Sequence, residues 1–406
     1  MKHRIIQLAE QYRDQVVAWR REMHQNPELS HQEIQTSAFV VRQLEAMGFQ
    51  NIQTNVGGYG VVAEVDSGRP GKMIGIRADM DALPIQERVD LPFASQNPGV
   101  MHACGHDAHT SMLLGASRIL KELAATGDFP GKIRLIFQPA EETSNAEGKS
   151  GGRLMVEDGV MDGLSMVMGQ HVSPSVEAGK FSFQRGYITA YSDGFSLTIR
   201  GRGAHASTPH HGVDPVVISA AIIQAIQHLV SRTIAPTDTG VITIGSIHGG
   251  TARNIIPEEI HMEGTIRTFE KSVRQTLFDG LKNVVKIAEA MRGSAELQIR
   301  EGYPAGYNNP EVTDFAEDAV REVFGDEAIH PQFGPSTGGE DFAFMSGLVP
   351  GTFIRLGVKD PTWPTGSAAH TPTFQIDERS LFYGTVGLVT VATQWLQKHG
   401  EREGAS

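Results

Sequence analysis

Three apolar segments each run into a polar cluster: MIGIRA into DMD (79–81), IRLIFQ into PAEE (139–142), and SMVMGQ into His171. Runs of this length, bounded by polar residues and separated by stretches of helical spacing, read as buried strands of an α/β sheet covered by helices. In open sheets of that kind, ligands sit beyond the carboxyl ends of the strands. The three polar endings are therefore expected to share one crevice.

The flanking segments support this layout. Ile5, Leu8, Tyr12, Val16, Trp19 and Met23 recur at helical spacing. Ser30 and Glu33 have the spacing of a capping box before a second helix through Ile34, Ala38, Val41 and Leu44, which Gly48 stops. Further strands are read at GVVAEVD and KIRLIFQ, with helices from Thr110 to Leu123 and near Leu154.

From about Tyr187 the rhythm changes. FSLTIRG alternates, and Asp214 with Pro215 caps a helix to about Ser231. VITIGSI, IHMEGTIRTF, a helix from about Lys271 to Met291 and ELQIR follow. The order β-α-β-β-α-β is that of a ferredoxin-like split unit, so an inserted domain is expected. The α/β pattern resumes with a helix around Val312 to Phe324, a strand TFIRLGV, and a helix from about Ser380 to Gln397 before the polar tail KHGEREGAS.

Composition narrows the function. A chain of 406 residues exceeds what one growing core accommodates, so about two or three domains are expected. A formal net charge of −12 argues against nucleic acid and anionic membranes, which require a basic patch. A single cysteine excludes an internal disulfide, no run approaches roughly 18 apolar residues, and the amino terminus is not signal-like. A cytoplasmic location is expected.

That cysteine lies in MHACGHDAHT (101–110). Cys104 and His106 are two apart, so in an extended segment both side chains leave on one side, and Gly105 allows a tight turn between them. Thiolate and imidazole suit borderline-soft dications such as zinc. His102 and His109 read as supports or as neighbours of the helix start. The competing reading is a nucleophilic cysteine with a local histidine base. It fits less well, because Cys104 faces Asp107 and the acids of DMD and PAEE, and such nucleophiles favour electropositive clefts. Glu141 and Glu142 point the same way as the metal reading. Adjacent carboxylates repel near a buried strand end, and a cation would allow one to bind it while the other relays a proton.

Nine ordered motifs now carry a resemblance: RADMDALPI, MHACGHDAHTSMLLGA, FQPAEE, GQHVSP, GRGAHASTPHHGVDP, TARNIIPE, EGTIRTF, GGEDFAFM and AHTPTFQID. Together, from about Trp19 to Phe382, the chain resembles the aminoacylase and carboxypeptidase superfamily of dinuclear metallohydrolases. The branch it is most similar to contains the bacterial N-acyl-L-amino-acid amidohydrolases, hippurate hydrolases and plant auxin-conjugate hydrolases.

The resemblance implies an α/β fold: a mixed-sheet, metallopeptidase-like catalytic domain (1–187 and 301–406) with an inserted ferredoxin-like lid and dimerisation domain (188–300). It implies two divalent ions per subunit, zinc, manganese, cobalt or nickel, held by Cys104, His106, Glu142, His171 and His370, with Cys104 bridging. Glu141 matches the general base, and Asp81 the acid that orients a ligand histidine. His205 matches the residue that polarises the scissile carbonyl, and Asn254 and Arg267 match residues that bind the substrate carboxylate. The implied reaction is amide hydrolysis of an N-acyl-L-amino acid by a homo-oligomer. A carboxypeptidase, a dipeptidase or an N-acetyl-diaminopimelate-type deacetylase is the alternative enzyme. A noncatalytic binding protein would be expected to lack Glu141 or a ligand, and a structural-zinc protein to have a closed ligand set. Gln170, Ser173 and Gly339 depart from the usual motifs and bear on substrate preference.

Overall fold

The computed structural model describes residues 1–363 and 367–400; the end of the polar tail, 401–406, lies outside the described residues. The chain forms two compact units. One comprises Met1–Gly186, Tyr307–Gly334 and the described residues from Asp341 onward, and the other Tyr187–Gly306 with Pro335–Glu340.

In the first unit, helix α1 (Lys2–Gln25) buries Ile5, Leu8, Val16, Trp19 and Met23, the stripe its spacing predicts. Helix α2 (Ile34–Ala46) starts where expected, but not by the expected cap. The Glu28 carboxylate accepts the Gln35 and Thr36 N–H groups at 2.9 and 2.8 Å. Ser30 and Glu33 form no capping box, because their side chains turn inward to other partners.

Strands β1 (Gln53–Val56), β2 (Gly60–Asp66), β3 (Met73–Asp79), β4 (Lys132–Gln138), β5 (Leu164–Glu177), β6 (Phe181–Ser182) and Gly351–Lys359 make one sheet. Its order is β1-β2-β4-β3-β5, then the strand Gly351–Lys359, then β6. The β4–β3, β3–β5 and β5 to Gly351–Lys359 pairings are parallel, and the outer pairings are antiparallel, so the sheet is mixed. Helix α3 (His106–Ala125) packs against α1 and the helix Ser380–His399. Ile74, Ile76, Leu113, Leu120, Leu135, Phe137 and Val389 are fully buried within this core. Strand β1 escaped the sequence reading because QTNV shows no apolar alternation and is mostly exposed, with Asn55 at φ +59°.

The second unit has a four-stranded antiparallel sheet in the order Gly240–Gly249, Glu259–Thr268, Tyr191–Arg200, Ser294–Tyr303. This is the split β-α-β-β-α-β arrangement the pattern predicts. Asp214 accepts the Val216 N–H at 2.9 Å and starts the helix Pro215–Arg232. That helix is long and apolar enough to cross a membrane by length and composition, which the sequence reading did not register. Its Ile218, Ile222, Ile226 and Leu229 pack instead with Leu197, Ile199, Met262, Leu277 and Leu281. The expected single helix to Met291 breaks after Val284. There Lys286 N–H and Ala288 N–H bond three residues back, to Asn283 and Val285 carbonyls, tightening the turn.

Ile222 is fully buried in this core, whereas Val217 on the same helix is 54% exposed. Ile222→Ala is expected to destabilise the unit by ~2–5 kcal/mol, and Val217→Ala by less than about 0.5 kcal/mol. Denaturant titration checks this; equal effects would contradict the assignment of the buried face.

Candidate metal centre

Strands β3, β4 and β5 are neighbours running in parallel, so their carboxyl ends lie at one edge. Past these ends come Met80–Asp81 and Pro139–Glu142, and β5 itself carries His171. The opening of α3 completes the edge. Gly105, immediately before His106, has φ +88°, and a Cβ there would lie 2.5 Å from Val172 Cγ2. Only glycine fits both constraints while leaving Cys104 and His106 turned inward.

Cys104 Sγ lies 3.4 Å from His171 Nε2. Glu142 Oε1 is 3.2 Å from His370 Nε2 and 3.8 Å from His106 Nε2. His370 is presented by a left-handed backbone, φ +60°, tied by its N–H to the Ala103 carbonyl at 2.8 Å. Three overlapping triplets offer ligand atoms within 4.8 Å of one another: Cys104, His106 and His171; Cys104, Glu142 and His370; His106, Glu141 and Glu142. Cys104 belongs to two of them. The three polar strand endings do converge, and the five expected ligand residues come together with Glu141 among them.

The chemistry of these donors fits divalent cations. His106 Nδ1 lies 3.1 Å from Asp81 Oδ1, and His171 Nδ1–H donates to the Val172 carbonyl at 2.7 Å. Both rings can thus offer Nε2, as metal-bound histidines do. His106 Nε2 is buried without a hydrogen-bond partner, and the buried Glu142 Oε1 has the His370 ring beside it at 3.2 Å, an arrangement in which a cation would relieve the cost of burial. Burial opposes charge on His106, yet Asp79, the Cys104 sulfur and Asp81 together raise its pKa well above the ordinary histidine value. The cavity therefore stabilises positive charge. Burial pushes the Cys104 thiol up to about 12, so the thiolate needs a cation beside it. Asp81 is buried too, but His106, the Ser30 hydroxyl at 2.6 Å and the Glu142 N–H at 3.0 Å keep its pKa below the usual range.

Further residues support the cluster; of these the sequence reading named His102 and His109, while Arg77 and the Arg20–His24–Asp107 group went unread. His109 Nε2 accepts the Val172 N–H at 2.9 Å, so its proton sits on Nδ1, 2.5 Å from Asp79 Oδ1. It braces the backbone next to His171. Arg77 Nη1 reaches Asp79 at 2.7 Å and its Nη2 reaches Asp341 at 3.0 Å. His102 is buried, and burial pushes it down to about 4, so it is neutral. Behind the start of α3, Arg20 Nε and His24 Nδ1 hold Asp107 Oδ2 at 2.7 and 2.8 Å. The one available signal was their i, i+4 spacing on the buried stripe of α1.

The remaining expected residues belong to the second unit. His205 and Asn254 are brought together by a short ribbon, Ala204–His205 with Ile255–Ile256, and the Ala206 N–H donates to the Asn254 carbonyl at 3.0 Å. Arg267 stands apart from them on Glu259–Thr268, half-buried, its Nη1 donating to the Ile266 and Asp193 carbonyls at 3.0 and 3.3 Å.

A mixed-sheet α/β unit with clustered thiol, imidazole and carboxylate donors at its strand ends, joined to a separate split-sheet insertion, defines a dinuclear metal-dependent hydrolase. Residues 75–394 match the model of Peptidase family M20/M25/M40, and the chain belongs to that family. It is 38% identical over 389 residues to N-acetyl-L-cysteine deacetylase of Bacillus subtilis (strain 168), covering 95% of this chain and 89% of that protein. It is also 38% identical over 391 residues to thermostable carboxypeptidase 1 of Saccharolobus solfataricus, covering 95% and 96%. Among solved structures it is similar to a dinuclear metal-binding peptidase of the M20 family from Bacillus subtilis. The TM-score is 0.81 and the identity 32%, over 95% of this chain and 99% of that one. The chain is a metal-dependent amidohydrolase or peptidase-like enzyme.

Gly105→Ala should separate folding from metal binding. A left-handed alanine costs roughly 1–2 kcal/mol, and its methyl group meets Val172. Metal affinity is expected to fall about tenfold or more, with the circular dichroism of the native chain retained. Native metal content after dialysis against chelator would contradict this.

Proposed function

We propose that the chain hydrolyses the amide bond of N-acyl-L-amino acids, releasing a carboxylic acid and a free amino acid. The observation that carries this reading is the adjacent pair Glu141 and Glu142, which share a triplet with His106 while Glu142 also faces His370. In this reading one carboxylate ligates and the other moves a proton. Cys104, His106, Glu142, His171 and His370 would hold two divalent ions. The ions, when bound, supply Lewis acidity and lower the pKa of water. Glu141 accepts a proton from the attacking water and passes it to the leaving nitrogen as the C–O bond forms and the C–N bond breaks. Asp81 fixes the His106 ring through Nδ1.

In the insertion, His205 Nδ1 accepts the Ser207 N–H at 3.1 Å, which puts the proton on Nε2 and makes that nitrogen a donor suited to a developing oxyanion. Arg267 is half-buried, and no carboxylate pairs with it among the described residues. A guanidinium in that state suits the substrate carboxylate, with Asn254 assisting. The open edge of Gly240–Gly249, where Val241 and Ile247 are exposed, is the surface we assign to self-association. A fold that needs no disulfide fits a cytoplasmic location. The carboxypeptidase relative supports a second reading, in which a peptide replaces the acyl group. Assays with N-acetyl-, N-benzoyl- and dipeptide substrates on protein loaded with zinc, manganese, cobalt or nickel choose between them.

Glu141→Gln is expected to keep its metal and lose about 10²–10⁴-fold in turnover, whereas Glu142→Gln loses metal as well. Retention of more than about a hundredth of native turnover by metal-loaded Glu141→Gln would refute the general-base role.

Arg267→Ala is expected to raise KM for N-acyl amino acids about tenfold or more, the loss of a charge-assisted fork. It should leave KM for their carboxamides nearly unchanged. Equal impairment on acids and carboxamides would remove the carboxylate-anchor role.

A further inference from the structure

The segment between the first two helices, ELSHQE (28–33), grips the turn that carries the carboxylate pair. Because Glu28 caps α2, the side chains of Ser30, His31 and Glu33 are free for other partners. Glu33 is fully buried, and its Oε1 accepts the Ala140 N–H at 2.7 Å and the His31 N–H at 3.1 Å. The Ser30 hydroxyl donates to Asp81 Oδ2, which also accepts the Glu142 N–H. His31 Nε2 donates to the Thr143 carbonyl at 3.1 Å. The backbone of residues 140 to 143 is thus held at three successive points.

That backbone needs holding. Ala140 has φ +48°, a left-handed conformation that costs a non-glycine residue roughly 1–2 kcal/mol. Its carbonyl accepts the Gly151 N–H at 2.8 Å, and a Cβ on Gly151 would fall 1.8 Å from the Pro139 oxygen, so the turn is clamped on its other side too. The next residue is Glu141, whose direction is set by the Ala140 backbone. Glu33 is also a poor choice for stability alone: its Oε2 is buried without a partner, and burial together with Asp81 pushes its pKa up to about 7.

We propose that Glu33 is a positioning residue for Glu141: its carboxylate holds the Ala140 N–H, keeps Ala140 left-handed and thereby aims the Glu141 side chain. This rests on Glu141 acting as the general base. Glu33→Ala removes the acceptor, whereas Glu33→Gln keeps a carbonyl oxygen in its place. In metal-free protein, hydrogen exchange of the 138–143 peptide should quicken about tenfold in Glu33→Ala and stay within about threefold of native in Glu33→Gln. In zinc-loaded protein hydrolysing an N-acetyl amino acid, Glu33→Ala should lose about 10- to 100-fold in kcat, the effect of a misaimed group. Its KM and metal content should stay native, and Glu33→Gln should recover most of the rate. Glu33→Asp, one methylene too short to reach Ala140, should repeat the kcat loss and serves if Glu33→Ala does not fold. Native kcat in the Ala or Asp protein, failure of Gln to restore it, or loss of metal in place of kcat would overturn the proposal. An active Glu141→Gln protein would instead overturn the general-base reading, and the exchange measurement would still test the Glu33 to Ala140 bond.

Discussion

Asp79, Asp81, Glu142 and the Cys104 sulfur crowd one buried imidazole, His106, at the carboxyl ends of parallel strands. So much potential negative charge in a dry cavity is self-repelling, and its cost rises steeply as the local dielectric falls. The surroundings divide that burden. Arg77 neutralises Asp79 from below, Ser30 and a backbone N–H satisfy Asp81, and the imidazoles keep their Nε2 atoms turned inward. What remains unbalanced is His106 Nε2, buried without a hydrogen-bond partner, beside Glu142 Oε1, which the His370 ring also approaches; positive charge is still required there. The fold of the first unit can be understood as a frame that tolerates this imbalance.

Much of this frame was legible because its signals are local. Apolar strands that stop at DMD and PAEE declare both their burial and the polarity of the edge they reach. Period-two segments flanking two helical stretches declare the insertion. Other features required a partner far away in sequence. The spacing of Ser30 and Glu33 has the form of a capping box, and nothing within the segment distinguishes a carboxylate that caps a helix from one that crosses to Ala140. His109 reads in the sequence as a support or a neighbour of the helix start, but its partners, Val172 and Asp79 on either side of its ring, lie far away in sequence. The break after Val284 depended on how one turn tightens, which side-chain periodicity does not report.

The expected site residues divide between the two units. The five expected ligand residues, Cys104, His106, Glu142, His171 and His370, come from the first, most of them on or just past strand ends and at a helix start. His205, Asn254 and Arg267 come from the second, on a two-residue ribbon and a half-buried strand. Rigid elements suit metal geometry, where tenths of an ångström matter.

The pairing within the insertion has one more consequence. Its first strand, Tyr191–Arg200, lies antiparallel beside its last, Ser294–Tyr303, with Ser192 opposite Tyr303. The chain therefore enters and leaves the module at neighbouring backbone positions, about 5 Å apart for such a pair. A short linker from Ser192 to Tyr303 would therefore remove most of the second unit in one step and leave behind only its flanking residues and the returning segment Pro335–Glu340.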